Sequence, residues 1–297
     1  MRIAQKGRNP RRTGCRGSES RRETLSTKVT KYHEGNSHGW PSWSFVFLVV
    51  YDFYSQEKQP QVQLLLEQAR SLYPEVVIST NASIRSLFLE GPAGRLEALL
   101  NAGTANATYA ALVCHPHPLY GGTLHNKVVF HTMKALNSFG FPTLRFNFRG
   151  TGLSQGEHDN GIGELEDVRA ALDWLDREFH LPLLFAGFSF GAAVGLRAAC
   201  RDERVKAVIG LGVPVLPADE RVYDFDFLHQ CTKPKLLVSG GRDQFGPKEK
   251  LQSLAASLPE PKKLVIIEGA DHFFEGRLKE LREAIEAWVR ESVISRA

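Results

Sequence analysis

The chain is poor in cysteine and has no cysteine pattern. Cys15, Cys114, Cys200 and Cys231 are scattered through 297 residues, with no Cys-x-x-Cys pair among them. That excludes a small disulfide-framed fold, a paired-cysteine zinc site and a dithiol redox motif as organising features. Free thiols in a reducing compartment, the cytoplasm, are the expectation. Long apolar runs are also missing: nothing approaches the ~20 residues a membrane helix needs. The nearest candidate, residues 43–54, contains Phe45-Val46-Phe47-Leu48-Val49-Val50 behind a long basic stretch. No small-residue cleavage pattern follows it, so it does not read as a secretory signal. Histidine, cysteine and carboxylate residues do not cluster at metal-ligand spacing, so no metal is expected. Arg149-Gly150-Thr151-Gly152 lacks the third glycine and the distal acid of a dinucleotide loop. It is not read as a dinucleotide-binding loop.

Positive charge is scarce outside one segment. Residues 1–39 hold ten Lys/Arg against three Asp/Glu, whereas the remainder holds 27 against 30, a net of −3. The bulk of the chain is therefore not a basic nucleic-acid binder. Residues 1–57 read as a disordered basic leader that includes an aromatic patch at 40–57; residues 1–39 hold too few apolar side chains to offset the entropy of ordering. Residues 58–78 read as one short helix and a linker. Residues 79–297 read as one catalytic domain, large enough for a sizeable core.

Against these absences stands Leu183-Leu184-Phe185-Ala186-Gly187-Phe188-Ser189-Phe190-Gly191-Ala192-Ala193. A buried strand stops at Gly-x-Ser-x-Gly and is followed by a run of small residues, the pattern of strand, sharp turn and helix. Gly187 and Gly191 would let strand and helix pass closely, holding Ser189 out at the sheet's carboxyl edge with free helix N–H groups behind it. In a chain with 26 glycines the pentapeptide alone is a weak signal. Its context decides.

Strand-like runs at 84–90 and 95–100 are joined by Gly91-Pro92-Ala93-Gly94, a hairpin turn. From residue 109 onward, short apolar runs alternate with helical periodicity. Strands are predicted at 109–114, 142–148, 183–188, 205–211, 235–239 and 263–268, and helical stripes follow most of them. Such alternation implies an α/β fold, with a mainly parallel sheet and helices on both faces. Ligands in such sheets sit at the carboxyl ends of the strands, so the loops after strands are the informative ones.

Gly240-Gly241-Arg242-Asp243 follows one strand and Gly269-Ala270-Asp271-His272-Phe273-Phe274 follows another. Serine hydroxyls need a base to become nucleophilic, and the base needs an acid to set its tautomer. Ser189, Asp243 and His272 are therefore candidate catalytic residues. Asp271 is the competing acid, but its adjacency to His272 makes it hard to aim at the same ring. An acyl-transfer oxyanion also needs two N–H donors. The backbone N–H of Phe190 is one candidate. The loop His115-Pro116-His117-Pro118-Leu119-Tyr120-Gly121-Gly122 supplies the other, from His117 or Leu119, because prolines have no N–H; His117 is the favoured one. Arg149 reads as a brace between loops, and His125 and His131 as structural.

With those loops, Asn147-Phe148-Arg149-Gly150-Thr151-Gly152-Leu153-Ser154 and the serine turn, residues 77–295 resemble the α/β-hydrolase superfamily. The likeness is strongest to small bacterial dienelactone-hydrolase-like and serine-aminopeptidase-like proteins. The resemblance implies a Ser–His–Asp hydrolase of esters or related acyl bonds, without metal or cofactor. Dienelactone hydrolases have cysteine where this chain has Ser189. Relatives often carry a helical cap after the strand that follows the elbow helix; here residues 212–232 are too few for one, which implies an open site and small or flexible acyl groups. The expected function is hydrolysis of small-molecule carboxylic esters. An amidase or peptidase using the same three residues, and a hydrolase-fold binding protein, are the alternatives.

Overall fold

The computed structural model describes residues 84–217 and 222–296. The expected leader, aromatic patch and short helix of residues 1–78 lie outside the described residues, as does Cys15. Eight strands form one sheet: β1 (Ile84–Gly91), β2 (Gly94–Asn101), β3 (Ala110–Cys114), β4 (Thr143–Phe146), β5 (Leu183–Phe188), β6 (Val205–Leu211), β7 (Lys235–Gly240) and β8 (Lys262–Ile267). Five helices accompany them: α1 (Lys127–Asn137), α2 (Ile162–Phe179), α3 (Phe190–Ala199), α4 (Lys248–Ser257) and α5 (Leu278–Ser292).

The sheet order is β1-β2-β4-β3-β5-β6-β7-β8. β1 and β2 form the expected hairpin, closing at Gly91↔Gly94, where Gly94 takes a φ of 113° that side chains rarely adopt. β2 then pairs antiparallel with β4 rather than with the next strand in the chain, in the register Ala98↔Phe146. All pairings from β4 through β3 to β8 are parallel. The chain leaves β3 for β4 on one side and returns to β5 on the other. That reversal opens a crevice at the carboxyl ends of β3 and β5, where α/β sheets bind ligands.

Both faces of the sheet are covered. Ala110, Leu112 and Cys114 of β3 pack toward α2, α3 and α4, whereas Ala111 and Val113 pack toward α1 and α5. Alternate residues of a strand point to opposite faces, so an uninterrupted apolar run is what a doubly covered strand requires. α5 buries Leu281, Ile285, Trp288 and Val289 along one stripe and exposes its charged side. α1 starts where Asn126 Oδ1 accepts the N–H of Val128 at 2.9 Å. Between β6 and β7 the described residues contain one short 3₁₀ helix, Asp226–Gln230. None of the described helices is long and apolar enough to cross a membrane. Cys114, Cys200 and Cys231 are free.

Candidate active site

The turn after β5 has the geometry the glycines permit. Ser189 has φ 53° and ψ −116°, a conformation strained for a residue with a side chain. Its backbone N–H is anchored on Leu211 O at 2.9 Å. A Cβ on Gly187 would sit 2.4 Å from Gly191 O, and one on Gly191 would sit 2.5 Å from His115 O. Both glycines are thus required by close backbone approach, which draws β5, α3 and the loop after β3 into one knot.

Three loops bring Ser189, His272 and Asp243 together, although 83 and 29 residues separate the successive partners. His272 Nε2 is 3.0 Å from Ser189 Oγ, and His272 Nδ1 is 2.8 Å from Asp243 Oδ2. A carboxylate can only accept, so Nδ1 carries the proton and Nε2 is left as an acceptor facing the serine hydroxyl. Asp243 is itself held: Ser239 Oγ donates to Oδ2 at 3.2 Å, and the N–H groups of Phe245 and Gly246 donate to Oδ1 at 2.9 and 3.2 Å. Burial works against its charge. The hydrogen bond and attraction from His272, with the two backbone N–H groups, outweigh that and hold the carboxyl below its ordinary pKa. The His272 ring is held between Phe245 and Phe188, at centroid distances of 4.7 and 5.0 Å. Asp271 is turned away and exposed, its Oδ1 accepting the N–H groups of Phe273 and Glu275 at 3.0 Å each.

The loop after β3 closes over the same point. His117 caps the 3₁₀ turn Pro118–Tyr120, and its Nδ1 accepts the Leu119 N–H at 3.3 Å. The Leu119 donor is thereby engaged within the loop. The His117 ring lies 4.8 Å from that of Phe190, so the two residues considered as oxyanion donors are in contact. His115 is fully buried beneath them. Its Nδ1 is 2.6 Å from Pro116 O, and its Nε2 accepts the Phe148 N–H at 3.0 Å. Burial first, and nearby His117 to a lesser degree, push its pKa down to about 4 despite the bond to Pro116 O, so it is neutral at pH 7. Arg149 ties the loop after β4 to α2 by clasping Asp167, with Nη2 2.7 Å from Oδ1. Among the described residues no group of three or more His, Cys, Asp or Glu side chains could hold a metal ion.

Several neighbours were not apparent from the sequence. His158 packs against His117 at 4.9 Å and Phe190 at 5.7 Å, and its Nδ1 lies 2.6 Å from the buried carboxylate of Glu164. Glu164 in turn accepts the Asp159 and Gly161 N–H groups at 2.9 and 2.8 Å, shaping the loop that leads into α2. The only sequence signal was position, since His158 lies in a loop that follows a strand. His125 is exposed and lines an open cavity of about 360 Å³, with Phe273 in the wall. The Phe273 ring lies 5.2 Å from that of His272.

Residues 121–294 match the model of a family described as an alpha/beta hydrolase domain. An uncharacterised protein of Rickettsia prowazekii is 37% identical over 210 residues, covering 68% of this chain and 87% of the relative. A solved alpha-beta serine hydrolase homologue from Coxiella burnetii is 38% identical, with a TM-score of 0.63, covering 72% of this chain and 99% of its own. A lidless α/β serine hydrolase from Xanthomonas campestris is 33% identical, with a TM-score of 0.63 and coverage of 70% and 94%.

Proposed function

The chain belongs to the α/β-hydrolase family, and from that premise we propose that it is a serine hydrolase of small-molecule carboxylic esters. The observation that carries the reading is the continuous hydrogen-bonded line from Asp243 through His272 to Ser189 Oγ. Ser189 Oγ attacks the ester carbonyl carbon as His272 Nε2 takes its proton. The resulting imidazolium is stabilised by Asp243. The carbonyl oxygen, now anionic, is met by the backbone N–H groups of Phe190 and His117. Engagement of the Leu119 N–H by the His117 ring supports His117 as the second donor. His272 then passes the proton to the departing alkoxide, which leaves as the alcohol. Water attacks the acyl-enzyme, again giving a proton to His272, and the carboxylic acid is released with Ser189 restored.

The short described segment between β6 and β7 supports an open site for small or flexible acyl groups. The Xanthomonas relative is also described as lacking a lid. Replacing Ser189 by Ala is expected to lower kcat on p-nitrophenyl acetate by up to about 10⁶-fold. Wild type should take up one fluorophosphonate, seen by intact mass, and the variant none. A Ser189→Ala enzyme of near-normal rate would overturn the reading.

A further inference from the structure

The two residues assigned as oxyanion donors sit on unlike supports. Phe190 opens α3 and is held by that helix. His117 lies in the loop after β3, outside strand and helix. Donors for a developing charge must keep a fixed spacing, because a misplacement of about 1 Å can cost 10²-fold in rate. The His117 ring lies 4.8 Å from that of Phe190, and 4.9 Å from those of both Tyr120 and His158. Tyr120 belongs to the same loop and moves with it. His158 comes from a different one, between β4 and α2, and its ring is also 5.7 Å from that of Phe190. The three rings of His117, Phe190 and His158 thus form a closed triangle, in which only His158 adds a support from a third part of the fold.

His158 is in turn seated by Glu164. Its Nδ1 stands 2.6 Å from Oε1 of that carboxylate, which is fully buried. Glu164 has a second task at the start of α2, accepting the N–H groups of Asp159 and Gly161. Those two bonds are enough to hold the helix start. They do not account for the third partner, an imidazole laid against both donor residues. The same loop is packed on α3: a Cβ on Gly161 would stand 3.1 Å from Val194 Cγ2 and 3.8 Å from the Phe190 ring. A line of contacts therefore runs from the first turn of α2, through Glu164 and His158, to the His117 ring.

Resting on the ester-hydrolase reading above, we propose that His158, seated by Glu164, is a positioning residue of the oxyanion site and acts through the His117 and Phe190 rings. Two kinds of variant of the full chain separate its ring from its polar edge. His158→Asn keeps a polar group for Glu164 and removes the ring. On p-nitrophenyl acetate its kcat should fall by about 10- to 100-fold, less than the 10²–10³ of a donor removed outright. KM should stay within about twofold, because the interaction lost is one made in the transition state. His158→Phe keeps a ring and gives up the contact to Glu164. Its kcat should stay within about fivefold of wild type while its thermal midpoint falls, since a buried carboxylate loses a partner. His158→Leu, apolar and without a flat ring, should lose kcat as His158→Asn does, and it replaces that variant if His158→Asn does not fold. A short-chain trifluoromethyl ketone gives a second readout. Ser189 Oγ adds to its carbonyl carbon, His272 takes the hydroxyl proton, and the carbonyl oxygen is left as an oxyanion. Its inhibition constant should rise by the factor by which kcat/KM falls. A folded Asn or Leu variant with wild-type kcat, a change in KM alone, an unmoved inhibition constant, or a folded Phe variant as slow as the Asn or Leu variant overturns the proposal alone. If wild type neither cleaves the ester nor takes a fluorophosphonate label, the ester-hydrolase reading itself fails.

Discussion

At the scale of single residues, two aspartates compete for one role. Asp243 bonds to His272 Nδ1, whereas Asp271 accepts two N–H groups of its own turn. Asp243→Asn should cut kcat by about 10⁴-fold, because an amide favours the wrong imidazole tautomer. Asp271→Asn keeps an oxygen acceptor for the turn and should stay within a few-fold of wild type, by the same reasoning. Steady-state kinetics on one ester separates the two, and an equal loss in both variants would contradict the assignment. The meeting of Ser189, His272 and Asp243 was legible in the sequence because each follows a strand and each residue type has a distinct chemical task. The choice between His117 and Leu119 was favoured but not decided there. It depends on whether the His117 ring turns back onto the Leu119 N–H, a local conformation that no spacing encodes.

His115 yields a second residue-scale prediction, on stability. Its imidazole has a pKa of about 4 in the fold, below the ordinary value near 6.5, chiefly because it is buried. Between those values the unfolded chain takes up a proton and the folded chain does not. The stability in question is therefore complete above pH 6.5 and is lost as pH falls toward 4, by about 3 kcal/mol. Urea midpoints of wild type and His115→Gln, followed from pH 7 to pH 4, test this. The wild-type midpoint should fall more steeply than that of the variant. Parallel curves would show that other groups account for the acid sensitivity.

At the scale of elements, the serine turn depends on backbone contact. An alanine methyl at Gly191 would meet the His115 and Cys114 carbonyls, which cannot yield without moving the loop that carries His117. Gly191→Ala should lower the thermal midpoint by on the order of 10 °C and remove most activity, since a forced backbone shift costs several kcal/mol. Gly121 is the control. Its φ is 76°, yet nothing lies within 4 Å of an added methyl. Gly121→Ala should cost only the conformational penalty of about 1–2 kcal/mol. Calorimetry and an ester assay on both variants decide the point, and similar losses would contradict it. The elements themselves were readable from periodicity, and the β1–β2 hairpin from Gly91-Pro92-Ala93-Gly94. The pairing of β2 with β4 was not, because it depends on which strand lies beside which, and an apolar run reads the same beside any neighbour.

At the scale of the whole molecule, the sheet is closed by its own helices. α1 and α5 cover one face and α2, α3 and α4 the other, and the two cores draw their residues from positions 89–293. The three residues assigned to catalysis and both oxyanion donors lie within the same span, as does the cavity beside His272. The fold class was legible because a doubly covered parallel sheet demands apolar strands alternating with amphipathic helices, and this demand is written along residues 109–293. The cavity was not legible, because Thr123 and Glu275 come from loops far apart in the chain. The groups assigned to the proposed chemistry lie within residues 117–272. Hence a chain beginning at residue 79 should keep the full-length kcat/KM on p-nitrophenyl acetate within about twofold, and its thermal midpoint within about 3 °C, the shift expected of roughly 1 kcal/mol in a domain of this size. Side-by-side kinetics and calorimetry of the two chains measure both quantities. A truncated chain that folds but loses that activity would mean that the leader takes part in the site. One that fails to fold would mean that it completes the core.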